Sequence, residues 1–194
     1  MKTITTLLLF YGILFMANAQ NNENKNESKS LLIVLDVQSY YTQAMPEEDR
    51  KTFISNINRC IEKAESQNME VIYVKTPVKA LSISLKGIKA VMIENSYELD
   101  KQLKVINDQI FVKHTGNIFG NEDFIEFAKN KSFKTVYMTG LYAEKCVFNS
   151  SLAGKEDGYT IKLISEALAY KKPNKKDKIH QKYKENNMEL IDQL

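Results

Sequence analysis

The chain has 194 residues, with 27 Lys and Arg against 24 Asp and Glu, a formal charge of +3, 43% hydrophobic residues and two cysteines. That length and apolar content suit one domain with a packed core. Two cysteines exclude a disulfide-dense scaffold and a four-thiolate zinc site, and so slight a positive excess gives no argument for a nucleic-acid or membrane-surface protein.

The N-terminus reads as a targeting segment. Lys2, the apolar run 7–16 and Ala17-Asn18-Ala19 combine a positive start, an apolar stretch shorter than a membrane span and an A-x-A site, the layout of a secretory signal peptide. Cleavage after Ala19 is expected, with an uncleaved N-terminal anchor as the alternative, and no Cys follows to carry a lipid. The expected location is therefore exported, periplasmic or secreted, with no membrane contact after cleavage. An oxidising compartment permits a disulfide, and Cys60 with Cys146 is the only available pair. Residues 20–30 (QNNENKNESKS) have no apolar side chain to bury and are expected to form a flexible leader. The folded domain is expected over residues 31–194.

From there strands and helices alternate. Residues 31–37 (LLIVLDV) form a continuous apolar run, as in a strand buried on both faces. Residues 47–67 place Phe53, Ile54, Ile57, Ile61 and Ala64 at helical spacing behind Pro46. Strands are predicted at 69–75, 110–114, 134–139 and 159–165. Helices are predicted at 121–131, 144–157 with Gly158 as its cap, and 174–194 as a final amphipathic helix. Residues 77–108 carry mixed signals, with a cap over the site as one reading. The alternation implies a parallel sheet covered on both faces.

In an open parallel sheet, ligands bind beyond the carboxyl ends of the strands. Asp36 ends the first predicted strand and Lys113 the third, and Cys146 begins the helix after the fourth. Lys75 and Glu166 are weaker strand-end candidates. A thiol at a helix start beside an ammonium is expected to have a lowered pKa. A carboxylate within reach can take its proton and later return it to a leaving group, and the helix start can donate N–H bonds to an oxyanion. That is a design for acyl transfer through a thioester. Singly, each residue has a bland reading: a buried core thiol, a strand-end cap, a surface lysine. Together the three favour chemistry. Cys60, mid-helix beside Ile57 and Ile61, is expected to be buried away from them, which argues against the disulfide.

The chain resembles the isochorismatase-like cysteine hydrolases over residues 31–168. The resemblance rests on LLIVLDVQ at the first strand, IFVKHTGNIFG around Lys113 and VYMTGLYAEKCVFNSSLAGKEDGYTIKLISEAL around Cys146. It implies an α/β, Rossmann-like three-layer sandwich with a central, mostly parallel sheet of five to six strands. It also implies a catalytic triad of Asp36, Lys113 and Cys146 that cleaves a small-molecule amide C–N bond. A non-proline cis peptide is implied at Leu141-Tyr142, with the Tyr142 and Cys146 N–H groups facing the oxyanion. Pocket candidates are Gln38, Tyr40, Tyr41, Phe119 and Tyr142.

Departures from the family pattern narrow the reading. Nicotinamidases of this kind hold a metal through an Asp-x-His pair and another His after the first and second strands. Here the only histidines are His114 and His180, neither in those places, so no metal and no cofactor are expected. His114 is expected on the opposite face of its strand from Lys113, and His180 on a solvated tail helix. The partner expected is a small-molecule substrate, with no nucleic acid, and the resemblance leaves a homo-oligomer open. The lysine-rich run 171–178 reads as solvated surface, with an acidic partner as the alternative. Against the amidohydrolase stands a catalytically inactive isochorismatase-like binding or scaffold protein. A redox thiol protein ranks last, since no second Cys lies close in sequence.

Overall fold

The computed structural model describes residues 29–84, 87–93 and 95–194; the expected signal peptide and most of the expected leader lie outside the described residues. In chain order the elements are β1 (Ser30–Leu35), α1 (Glu47–Ser66), β2 (Glu70–Lys75), β3 (Lys79–Ser84), β4 (Gly87–Met92), β5 (Ile110–Val112), α2 (Glu122–Lys131), β6 (Thr135–Gly140), α3 (Phe148–Glu156), β7 (Thr160–Leu168), α4 (Lys176–Glu185) and β8 (Glu189–Ile191). Six strands form one sheet in the order β5-β2-β1-β6-β7-β8, and every pairing within it is parallel.

β1 lies in the middle because its sequence is apolar on both faces. Leu31, Ile33 and Leu35 join one core cluster with Phe124 of α2, Phe148 of α3 and Ile179 of α4. Leu32 and Val34 join the other, with Phe53, Ile54, Ile57 and Ile61 of α1. One helix thus covers one face and three helices the other, the three-layer α/β sandwich expected. Burying an aliphatic side chain of this size contributes roughly 1.5–3 kcal/mol, so a charge introduced anywhere in β1 would be severely destabilising.

Two segments differ from the sequence-based expectation. The tail is not one helix: α4 ends at Glu185, and β8 then pairs with β7 from Lys162↔Glu189 to Ile164↔Ile191. Ile179 and Tyr183 carry the helical signal, and a three-residue strand is too short to show a period of its own. Residues 77–108 contain an antiparallel hairpin of β3 and β4, a separate two-stranded sheet. Beyond it the chain returns to the main body. Ser39 N–H donates to Glu98 O at 2.9 Å, Gln38 bridges Leu99, and Arg50 holds Asp100 through Nε and Nη2 at 3.0 and 3.1 Å. This return segment packs beside the residues that follow β1; it is the part of 77–108 that comes nearest to a cap.

Candidate active site

Four neighbouring strands, β5, β2, β1 and β6, end in a row. Residues just past those ends are Lys113, Thr76, Asp36 and the turn Ala143–Val147 that carries Cys146. The chain runs outward from β1 through β2 to β5, then crosses back to β6 on the other side of β1. The β1/β6 gap is therefore the topological switch point, where open α/β sheets form their crevice.

Gly140 makes that gap narrow. It lies at φ +116°, and a Cβ there would come within 2.0 Å of the Leu35 carbonyl oxygen. Only glycine combines this dihedral with so close an approach. The chain beyond it stays against β1, with Leu141 N–H donating to Leu35 O at 3.0 Å. The Leu141-Tyr142 peptide is cis, at the position the resemblance implies. The turn with Cys146 is π-helical rather than the first turn of a regular α-helix, and the Tyr183 hydroxyl donates to Ala143 O at 2.5 Å, tying it to α4.

Asp36 adopts a left-handed conformation, φ 57°, which Asp tolerates better than most residues. Its Oδ2 lies 2.9 Å from Lys113 Nζ, and both side chains are shut off from solvent, with 2% and 1% exposure. Thr76 bridges the pair. Its hydroxyl donates to Asp36 Oδ1 at 2.7 Å and receives Lys113 Nζ at 2.5 Å. Gln38 fixes Thr76 in turn, accepting from Thr76 N at 2.8 Å and donating to Thr76 O at 2.9 Å and to Ser96 O. The half-buried Cys146 thiol lies close enough to both members of the ion pair to feel their charges.

The thiol is not acidified as expected from its place at a helix start. Burial and the Asp36 carboxylate push Cys146 above the ordinary thiol range, and the Lys113 ammonium offsets only part of this. Loss of water around a half-buried sulfur outweighs the help of one ammonium whose charge Asp36 already balances. A thiol so placed depends on a base to become a nucleophile.

Tyr41 and Tyr142 stand edge-on at 6.2 Å, and Tyr40 meets Tyr41 at 5.3 Å. Burial, then the charges of Asp36 and Cys146, push the Tyr41 phenol up to about 12, so its ring stands beside the pair and the thiol. Tyr142 also faces a groove of about 410 Å³ with Met45, Phe53, Leu168 and Lys171. Two other pocket candidates lie elsewhere. Gln38 is wholly buried, its amide spent on backbone. Phe119 belongs to the core, edge-on to Phe124 at 5.2 Å and filling the space above Gly154. Of the weaker candidates, Lys75 stands over Tyr97 and Glu166 lies within β7, 3.8 Å from Arg59. Cys60 and Cys146 are both free, Cys60 buried on the α1 side. Thr76 was not singled out from sequence; a hydroxyl after a strand acquires meaning only beside an ion pair.

The isochorismatase domain model matches residues 30–193. The chain belongs to the isochorismatase family. Among solved structures it is similar to an isochorismatase-family protein from Desulfovibrio vulgaris (TM-score 0.70, 14% identity, covering 84% of this chain and 94% of that one). It is also similar to the pyrazinamidase of Pyrococcus horikoshii in complex with zinc (TM-score 0.69, 20% identity, 86% and 99%) and to a nicotinamidase from Bacillus subtilis (TM-score 0.66, 13% identity, 84% and 98%). Comparison with curated protein sequences gives no match. The fold and the hydrolase family are thus those expected.

The residues of this isochorismatase domain do not fit a metal. Among the described residues, no group of three His, Cys, Asp or Glu side chains comes together to hold one. Thr76 and Gln38, beyond β2 and β1, are committed to each other. His114 is exposed at the end of β5. His180 is not simply solvated: its Nε2 lies 2.6 Å from the Tyr170 hydroxyl, and burial followed by the Lys176 ammonium holds it below the usual imidazole range.

Proposed function

We propose that this isochorismatase-family hydrolase cleaves the C–N bond of a small amide, with Cys146 as nucleophile, Asp36 as base and acid, and Lys113 as electrostatic support. The observation that carries the reading is a buried carboxylate–ammonium pair beside a half-buried thiol. A thiol held above its ordinary pKa cannot act as a standing thiolate, so a base must take its proton as it attacks, and Asp36 is the carboxylate beside it. The sulfur adds to the carbonyl carbon. Among the described residues the Tyr142 N–H donates to no oxygen, and it would hold the oxyanion with the Cys146 N–H. Collapse breaks the C–N bond, Asp36 returns the proton to the departing amine, and a thioester remains. Water, deprotonated by Asp36, then adds to the thioester, releasing a carboxylic acid and restoring the thiol. Lys113 keeps Asp36 placed and compensates the negative charge that builds beside it.

A screen of small amides for ammonia release, with Cys146→Ala as control, tests this reading. Release by the native protein and none by the variant is expected. Equal behaviour of the two would favour the non-catalytic binding or scaffold protein. Export is proposed with it, read from residues 1–19, and fractionation of cells making the full chain tests that.

The thiol gives a second measurement. Alkylation of Cys146 is expected to have a pH midpoint above the ~8.5 of an ordinary thiol, because burial and Asp36 both oppose the thiolate. Asp36→Asn removes the repelling charge and should move the midpoint down. Lys113→Met removes the attracting charge and should move it up. Shifts of the same sign in both variants would break the assignment.

Thr76 is a positioning residue in this scheme. Thr76→Val keeps the volume and removes the bridge between Asp36 and Lys113. A fall in kcat of about tenfold or more is expected from loss of one positioned hydrogen bond to a charged group, with KM little changed and a displaced pH profile. Thr76→Ser should recover most of the rate. If Val and Ser behave alike, the hydroxyl plays no part.

A further inference from the structure

Several cations on this surface are matched. Arg50 pairs with Asp100, Lys104 with Glu65, Lys131 with Glu70 and Lys162 with Glu189. One bank is not. Lys145, Lys171, Lys172, Lys175, Lys178 and Lys182 line a single groove of about 740 Å³ together with Glu144 and Glu185. Among the described residues none of these six forms an ion pair. Six ammonium groups against two carboxylates leave an excess of four positive charges. Lys178 and Lys182 lie one turn apart on α4, and Lys175 immediately precedes that helix. Lys171 and Lys172 follow β7, and Lys145 comes from the turn that holds Cys146.

That bank adjoins the reacting centre. Glu144, two residues before Cys146, accepts the Lys171 N–H at 3.0 Å, and Lys171 also borders the second groove, the one lined by Tyr142. The second groove also carries Asp49 and Glu166, so the positive excess lies on the α4 side of the Cys146 turn, while the centre itself is a neutralised ion pair. A cluster of like charges repels itself, at a cost that an arriving anion would relieve. Its neighbours do not suit a larger partner. Ile179 is buried, and the aromatic faces nearby are occupied by cations, Lys182 over Phe148 at 3.5 Å and Lys176 over Tyr170 at 5.8 Å. No apolar side chain is offered to a lipid and no ring to a nucleic-acid base.

We infer that the substrate is an anion, a small amide bearing a carboxylate or phosphate group, gathered toward Cys146 by this lysine bank. The inference rests on the amidohydrolase reading for its substrate, but the steering can be measured without a substrate. Iodoacetate and iodoacetamide alkylate the same sulfur, each by thiolate attack on carbon with iodide leaving, and differ in charge. The ratio of their rates at Cys146 is compared between the native protein and Lys172→Glu/Lys175→Glu/Lys178→Glu, with Cys146→Ala marking any labelling of Cys60. These three lysines are exposed and unpaired.

At ionic strength near 0.01 M, where charges act over about 30 Å, the iodoacetate-to-iodoacetamide ratio is expected to fall about fivefold in the triple variant. The Gln version of the same triple should fall part-way, which guards against misfolding of the Glu form. Near 1 M salt, with screening over about 3 Å, the three proteins should converge. A ratio unchanged to within about 1.5-fold at low salt overturns the inference, since fields of this size act over such distances. A matched pair of amides, one carboxylate and one methyl ester, then separates the two ideas. Faster cleavage of the carboxylate by the native protein, lost in the Glu triple, supports both. Equal cleavage of the carboxylate and the ester by both proteins overturns the inference and leaves the amidohydrolase standing. A fallen alkylation ratio with ammonia from neither amide leaves the steering and removes the reaction.

Discussion

Replacing Cys146 with alanine is expected to lower amide hydrolysis by about 10⁴-fold or more, the scale seen when a covalent nucleophile is deleted, with the melting temperature nearly unchanged. The sulfur is half-buried and fills no core cluster, so its removal costs little packing. Groups that act as one unit lose their effect together. Adding Asp36→Asn to Cys146→Ala should therefore cause no further loss of rate, although each alone is severe. Steady-state ammonia release across the four proteins of this cycle provides the check. Independent, multiplying losses would mean that Asp36 and Cys146 do not share a step.

Lys113→Met is expected to cost about 3–5 kcal/mol of stability, the usual result of stranding one member of a buried ion pair. The change removes an ammonium that is 1% exposed and leaves Asp36 charged in a closed environment, with the Thr76 hydroxyl still donating to it. For a domain of this size such a loss lowers the melting temperature by about 10 °C. Asp36→Asn in the same background removes the stranded charge and should return part of the loss without returning activity. Urea or thermal unfolding of the single and double variants measures this. A melting temperature in Lys113→Met within about 2 °C of native, too small for a stranded buried charge, would show that the pair is open to water.

The parts of this fold legible in the sequence are those where one signal dominates. β1, β2, β6 and β7 are apolar runs bounded by polar residues, and α1 has an unbroken helical stripe. β8 was hidden because three residues give no period, and the hairpin of β3 and β4 because KALSIS and GIKAVM alternate too weakly to exclude a helix. Strand-end reasoning singled out Asp36, Lys113 and Cys146, which the structure places side by side, since it depends only on where strands stop. It misjudged Gln38 and Phe119, whose surroundings are built by segments distant in sequence. It also misjudged the thiol, because proximity to a helix start is visible in one dimension and burial is not. Thr76 was out of reach for the same reason: its hydroxyl is defined by two partners 40 and 37 residues away.

The groups assigned chemistry stand at the tips of adjacent sheet strands, each tip fixed by the backbone ladder to the next. Much of the groove wall and the lysine bank comes instead from segments around residues 44–46 and 169–175 and from α4. Reaction and selectivity are thereby assigned to separable parts of one scaffold. Diversification of those segments would retune which molecule is accepted and leave the groups proposed for bond breaking untouched, so grafting them between homologues is a natural route to new selectivity.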